Sequence, residues 1–139
     1  MYKYKCKLIK VVDGDTVDAE IDLGFNIFIK ERIRLMGIDT PESRTRNKAE
    51  KSWGMASKKY LKKVLKDNGN EFELFTKIQK KGKFGRIFGT IIVNGDIDVN
   101  QLLVKNNLAI PYDGGNKEKA RKKYKVDELW NTFFVEPIT

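Results

Sequence analysis

Acidic and hydroxyl-bearing residues gather at two places along the chain, and cations flanked by glycine gather at a third. "VVDGDT" carries Asp13 and Asp15, "RLMGIDTPES" carries Arg34, Asp39, Thr40 and Glu42 around Pro41, and "KGKFGR" sets Lys83 and Arg86 on either side of Phe84 and Gly85. Each stretch has a purely structural explanation. Asp-Gly between strand-like runs is a hairpin signal, because glycine accepts positive φ and aspartate bonds its own turn backbone. Thr40 or Asp39 could cap a helix, with Pro41 in its first turn and Glu42 near the positive end of its dipole. The glycine-flanked cations make a loop with only weak phosphate-binding character. The hairpin reading does not explain Asp15 at the strand entry. Taken together, the three stretches supply what phosphodiester hydrolysis demands. That reaction needs a hard cation on oxygen ligands, a carboxylate to orient or deprotonate water, and fixed positive charge for the developing phosphorane.

Composition bounds the other possibilities. The chain has 139 residues, about one domain, and its 28 Lys and Arg against 19 Asp and Glu leave a formal charge of +9. Such an excess attracts polyanions and makes nucleic acid the leading partner. There is no histidine, so histidine general bases, nucleophiles and metal ligands are excluded, and catalysis must use carboxylates, Arg, Lys, Tyr or the one thiol. The single cysteine, Cys6, allows no internal disulfide and no cysteine-based zinc site; a small, partly buried role is expected. No run approaches the roughly 20 apolar residues that span a bilayer. The start "MYKYKCKLIKVVDGD" lacks an apolar core long enough for a signal peptide, which favours a cytoplasmic location.

The first half reads as strands. "KLIKVV" leads into the "DGDT" turn, and Val17, Ala19, Ile21 and Leu23 then alternate with Asp18, Glu20 and Asp22, the period of a half-buried strand. In the next run Ile27, Ile29, Ile33 and Leu35 share one parity, so on a straight strand Arg34 points away from the core. The period then changes. Ala49, Trp53, Ala56, Tyr60, Leu61 and Val64 recur at helical spacing between about residues 46 and 66, closed by "DNGN". "EFELFTKI" and "GRIFGTIIV" are two further strands, "NGD" at 94–96 is a turn, and a short helix starts near Asp98. A third helix is expected from Lys117 to about Trp130. Its run "KEKARKKYK" reads as a solvated face, and Trp53 and Trp130 as core residues. Five short strands with a helix after the third close most economically into a barrel. The expected fold is therefore α+β, a single domain over 1–139 built as a five-stranded OB-fold β-barrel with three helices.

"DGDT" at 13–16, "RLMGIDTPE" at 34–42 and "KFGR" at 83–86, continued through "LLVKNNLAIPY", resemble in the same order the thermonuclease family typified by staphylococcal nuclease. The resemblance implies specific roles. Asp15 and Asp39 match calcium-ligand carboxylates, and Thr40 the residue offering a backbone carbonyl. Glu42 matches the carboxylate that positions or deprotonates water, while Arg34 and Arg86 match the arginines that grip phosphate. Asp13 matches an acid that orients the metal shell. Lys83, Phe84 and Tyr112 match nucleotide-binding positions. Phe84 stands where the staphylococcal enzyme has a tyrosine, and the second tyrosine of the nucleotide pocket is absent, "DGG" standing at 113–115.

The implied activity is Ca²⁺-dependent hydrolysis of DNA, with RNA open as a second substrate, breaking the 5′ P–O bond and leaving 3′-phosphate products. A monomer without membrane association is expected. The rival class is a catalytically inactive OB module that only binds nucleic acid or protein. A restriction-type carboxylate nuclease is disfavoured because no Glu-x-Lys occurs.

Overall fold

The computed structural model describes residues 1–77, 85–126 and 128–129. Its long strand β1 (Tyr2–Asp13) is followed by β2 (Thr16–Asp22), β3 (Phe28–Leu35) and the two-residue β4 (Ile38–Asp39). Helix α1 (Lys48–Asp67) leads to β5 (Glu71–Thr76), β6 (Ile87–Val93), β7 (Ile97–Asp98) and α2 (Val99–Lys105). The short β8 (Ile110–Pro111) and α3 (Lys117–Lys123) follow.

β1 serves two neighbours. Its first half, Tyr2 to Lys7, pairs antiparallel with β5, while Lys5 to Asp13 pair antiparallel with β2. The two pairings overlap at Lys5 to Lys7, and a register shift against β2 follows between Leu8 and Lys10, an irregularity of the kind that bends a strand around a barrel corner. The sheet runs β3-β2-β1-β5-β6-β7 and closes where β3 meets β6 in parallel, Ile33 opposite Ile87 and Leu35 opposite Gly89. The five long strands thus form the expected closed barrel. Gly89 is required there, because a Cβ would lie 2.6 Å from Leu74 Cδ1 and 2.7 Å from the Phe75 carbonyl oxygen.

The alternating residues fill the interior: Val17, Ala19, Ile21, Ile33, Leu35, Leu74 and Ile91 are all buried. Two residues read as inward do not belong there. β2 and β3 pair only as far as Asp22 opposite Phe28, and Gly24, Phe25 and Asn26 all have positive φ. This loop turns Leu23 and Ile27 outward, to 41% and 53% exposure.

Asn100 braces the closure. Buried in α2, it donates from Nδ2 to the carbonyls of Met36 (2.9 Å) and Gly89 (3.1 Å) and accepts from the Ile91 amide at 3.1 Å.

α1 lies on the barrel with Leu61 and Leu65 fully buried, and its Asn47 cap accepts from the Glu50 amide. Asp39 and Thr40 therefore cap no helix, and Pro41 lies outside α1: residues 40–46 connect β4 to a helix that starts later. The side of α1 facing the β1–β2 turn and this connection is built of small residues. A Cβ on Gly54 would sit 2.3 Å from the Glu42 carbonyl carbon, and one on Gly14 would sit 2.6 Å from Ser57 Cβ. Gly14 does not have positive φ; the "DG" glycine is needed for close approach to the helix rather than for the turn. Ser57, buried in α1, donates to the Leu108 carbonyl at 2.7 Å. Trp53 is buried in a small second cluster with Ile110 and Val126, as expected of a core residue. Trp130 lies outside the described residues. α3 ends at Lys123 because the chain turns at Tyr124 and Lys125, with φ +49° at Lys125; beyond that break Val126, Glu128 and Leu129 are again helical. Among the described residues no helix is long and apolar enough to cross a membrane.

Two outcomes follow from this packing. Gly54→Ala improves helix propensity by about 1 kcal/mol, yet should lower stability by about 1–3 kcal/mol because the methyl overlaps backbone that must move; chemical denaturation with urea measures the balance. Burial pushes the Cys6 thiol up to about 12. Its contribution to stability is thus complete below the ordinary thiol pKa and is lost as pH rises from there toward about 12. Iodoacetamide at pH 8 should label Cys6 in urea but not in the folded protein.

Candidate active site

The barrel rim beside α1 gathers residues from distant parts of the chain. The β1–β2 turn brings Asp13 and Asp15, the end of β3 brings Arg34, β4 brings Asp39, and the connection after it brings Thr40 and Glu42. All of these line one cavity of about 210 Å³, and Arg86, which directly precedes β6, lines it too. Seven expected site residues thus share a single cavity. Tyr112 is not among its lining residues: its amide donates to the Gly37 carbonyl at 2.9 Å, and its hydroxyl donates to the Gly115 carbonyl, closing its own loop. Lys83 and Phe84 lie outside the described residues.

Local register explains the delivery. Thr16 pairs with Arg34 across β2 and β3, and the Leu35 amide donates to the Asp15 carbonyl at 2.8 Å, so the turn after β1 is tied to the end of β3. Arg34 follows the outward parity expected of it, but outward here means into the site: the residue is 7% exposed. Its Nη1 donates to the Leu35 carbonyl at 3.0 Å and its Nη2 to the Ile38 carbonyl at 3.1 Å. That grip leaves the guanidinium between two carboxylates, with Nη1 3.2 Å from Asp15 Oδ2 and Nη2 4.0 Å from Asp39 Oδ1.

Both carboxylates are held by further donors. Asp15 Oδ1 accepts from the Thr16 hydroxyl at 2.9 Å, and Oδ2 from the Thr40 amide at 3.2 Å. Asp39 is 1% exposed; Arg121 Nε donates to its Oδ2 at 3.1 Å, and Lys117 Nζ is 3.7 Å from its Oδ1. Asp13 accepts from the Ser43 hydroxyl, which pins the connection beyond Glu42 to the β1–β2 turn. Glu42 is exposed along its side chain, while its amide donates to Glu50 Oε2 at 2.9 Å. Arg86 is half-buried, its guanidinium carbon 5.8 Å from the centre of the Phe88 ring.

The donor set has one chemical character. Asp15, Asp39, the Thr40 carbonyl and nearby hydroxyls offer only oxygen, the preference of Ca²⁺ or Mg²⁺ over softer metals. Thr40 Oγ1 is buried with no hydrogen-bond partner among the described residues. Among the described residues no three acidic, cysteine or histidine side chains are close enough together to ligate one metal ion, so a cation here would take at most two carboxylates and complete its shell with carbonyl oxygen and water. These residues fit a hard cation held in part by water.

Several contributors escaped the sequence reading. Most of the run 117–125 is exposed, as a solvated face should be, but Arg121 is half-buried and both it and Lys117 reach Asp39. The Asn116 cap, whose side chain accepts from the Lys119 amide at 2.9 Å, fixes the start of α3, and an i, i+4 pair at 117 and 121 must share a face. That spacing was the available signal, without saying what the face meets. Burial alone would lower the Arg121 pKa, but the charge and hydrogen bond of Asp39, then those of Glu50, raise it above the ordinary arginine value. Arg44 also lines the cavity.

Comparison with known proteins gives a consistent picture. The family model described as staphylococcal nuclease homologue matches residues 32–130. An uncharacterized protein of Methanocaldococcus jannaschii is 32% identical, over 92% of this chain and 72% of its own length. A thermonuclease of Staphylococcus intermedius is 34% identical over 72% of this chain and 55% of its own. Endonuclease YhcR of Bacillus subtilis is 31% identical over 79% of this chain, which spans only 9% of that protein. The chain thus covers about half or less of the two relatives named for cleavage.

Among the described residues Arg34 is the countercharge that reaches both acids, 3.2 Å from Asp15 and 4.0 Å from Asp39. Arg34→Met should therefore cost about 3–5 kcal/mol without added metal, the penalty of leaving buried carboxylates underpaired, as measured by urea denaturation. A loss below about 1 kcal/mol would mean that Lys117 and Arg121 suffice for Asp39, and the Thr16 hydroxyl and Thr40 amide for Asp15.

Proposed function

Because the chain belongs to the staphylococcal nuclease homologue family, we propose that it is a metal-dependent phosphodiesterase hydrolysing DNA, and RNA as a second substrate, with little sequence preference. The observation that carries this reading is the convergence of Asp15, Asp39 and Glu42 with Arg34 and Arg86 around one small cavity. A module that only binds nucleic acid has no need of three carboxylates beside the arginines that would hold its phosphates.

Asp15, Asp39 and the Thr40 carbonyl would hold the cation, Ca²⁺ by family analogy, with Asp13 and Ser43 steadying the loops around it. When bound, the cation supplies Lewis-acid stabilisation of a non-bridging phosphate oxygen. The remaining work falls to the chain's own side chains. Glu42, exposed at the cavity edge, orients a water and takes its proton as the water oxygen attacks phosphorus. The P–O5′ bond breaks, the leaving oxygen takes up a proton, and the 3′-phosphate stays on the other fragment. Arg86 and the donors left to Arg34 stabilise charge on the phosphoryl oxygens, a task suited to a planar, multi-donor guanidinium. Lys117 and Arg44 add positive charge at the same rim, and Lys83, Phe84 and Tyr112 are assigned to strand and base contacts by analogy. Binding that relies on so many cations should weaken steeply with salt.

The test is degradation of single-stranded DNA in Ca²⁺ with and without chelator. Cleavage should require the metal, and Glu42→Gln should lower kcat by about 10²–10⁴-fold while DNA binding survives. Equal rates in chelator would overturn the metal mechanism. Full activity of Glu42→Gln would remove Glu42 as the base, and binding by the wild-type protein without any cleavage would favour the binding-module alternative.

A further inference from the structure

We propose that Arg121 is a positioning residue that holds Asp39 and the backbone of Glu42 in one fixed relation; this rests on the nuclease reading above. Its guanidinium spans carboxylates on two elements. Nε donates to Asp39 Oδ2 at 3.1 Å, and Nη1 donates to Glu50 Oε2 at 3.1 Å. The same Glu50 oxygen accepts the Glu42 amide at 2.9 Å. One run of hydrogen bonds therefore links β4, α3, α1 and the connection that carries Glu42. It joins the candidate metal ligand to the candidate base by a route separate from the two residues, Thr40 and Pro41, that lie between them in the chain.

Arg121 does not line the catalytic cavity, so it acts through its partners rather than on substrate. By engaging Oδ2 it leaves Oδ1 as the Asp39 oxygen facing Arg34 and Lys117, which stand off at 4.0 and 3.7 Å. Arg121 thereby selects which oxygen Asp39 presents beside Asp15. Only a forked guanidinium can hold both carboxylates in this way, since a lysine ammonium is a single point of charge on a flexible stem. The two sides of the fork are half-buried: the Arg121 and Glu50 side chains are 21% and 16% exposed. This burial reduces the solvent screening that makes most surface ion pairs negligible.

The experiment compares the full chain with Arg121→Gln, Arg121→Lys, Glu50→Gln and the Arg121→Gln/Glu50→Gln double variant. Ca²⁺ affinity is read by titration calorimetry, kcat and KM with single-stranded DNA, and folding by metal-free urea melts. Loss of a residue that orients a metal ligand should weaken Ca²⁺ binding on the order of 10- to 100-fold. That loss is expected for Arg121→Gln and Glu50→Gln, with kcat falling more than KM rises. The double variant should be no weaker than the worse single one, since both break the same link, and Arg121→Lys should not restore affinity. Glu50→Gln carries the test alone if the arginine variants fail to fold. Unchanged Ca²⁺ affinity, or full rescue by lysine, overturns the proposal. Tighter binding in Arg121→Gln also overturns it, by making Arg121 a countercharge that competes with the cation. A wild-type chain that binds Ca²⁺ and cleaves while the variants match it defeats the Arg121 role alone. A wild-type chain that does neither defeats the nuclease reading and this inference together.

Discussion

Two carboxylates buried at one barrel rim would repel each other, and the guanidinium of Arg34 is what allows Asp15 and Asp39 to share that space. Its placement is a matter of backbone as much as charge. The carbonyls of Leu35 and Ile38 grip Nη1 and Nη2, so the cation cannot swing toward solvent and abandon the acids. Those carbonyls are fixed in turn by the closure of β3 on β6 and by Asn100, which bonds Met36, Gly89 and Ile91 at the seam. The stability of the barrel and the electrostatics of the site therefore meet at the same residues. Arginine suits this position because it can satisfy two backbone acceptors and still face two carboxylates.

The second constraint is steric. Glu42 reaches the rim only because the connection after β4 passes directly against α1, where Gly54 has no side chain to obstruct it. The β1–β2 turn approaches the same helix through Gly14 and Ser57. With a larger residue at either glycine, the turn carrying Asp15 or the segment carrying Glu42 would have to retreat, and the carboxylates would no longer face one cavity. Helix α1 is thus the wall against which the two acidic segments are set at a defined spacing, and α3 lies beside its N-terminal part, where Arg121 meets Glu50 while Lys117 and Arg121 reach Asp39.

The acids of "DGDT" and "IDTPE" and the arginine of "GR" meet as their order and types suggested, and the barrel follows from strand periodicity and a helix of the expected length. The structural roles attached to some of them did not hold. Asp39 and Thr40 cap nothing, because Asn47 caps α1 further along, and the glycine of "DG" serves close packing rather than a left-handed turn. Leu23 and Ile27 continue the alternating pattern past the point where pairing stops, so parity alone put them in the core. In each case the local pattern had more than one structural use, and the neighbouring element chose among them.

By itself the sequence determined the barrel, through alternation and helical period, and the chemical types of the central site, through acids and arginines at the ends of apolar runs. It also excluded histidine and disulfide chemistry by composition. Only the tertiary structure decided that a lysine-rich helix turns Arg121 and Lys117 onto Asp39, and that Glu50 holds the Glu42 backbone. Arg121 and Asp39 are 82 residues apart in the chain, and no local period encodes a contact over that distance. Such pairings are set by how the folded barrel and helices exclude water from a shared space, where a buried carboxylate must find a cation and a half-buried cation a carboxylate.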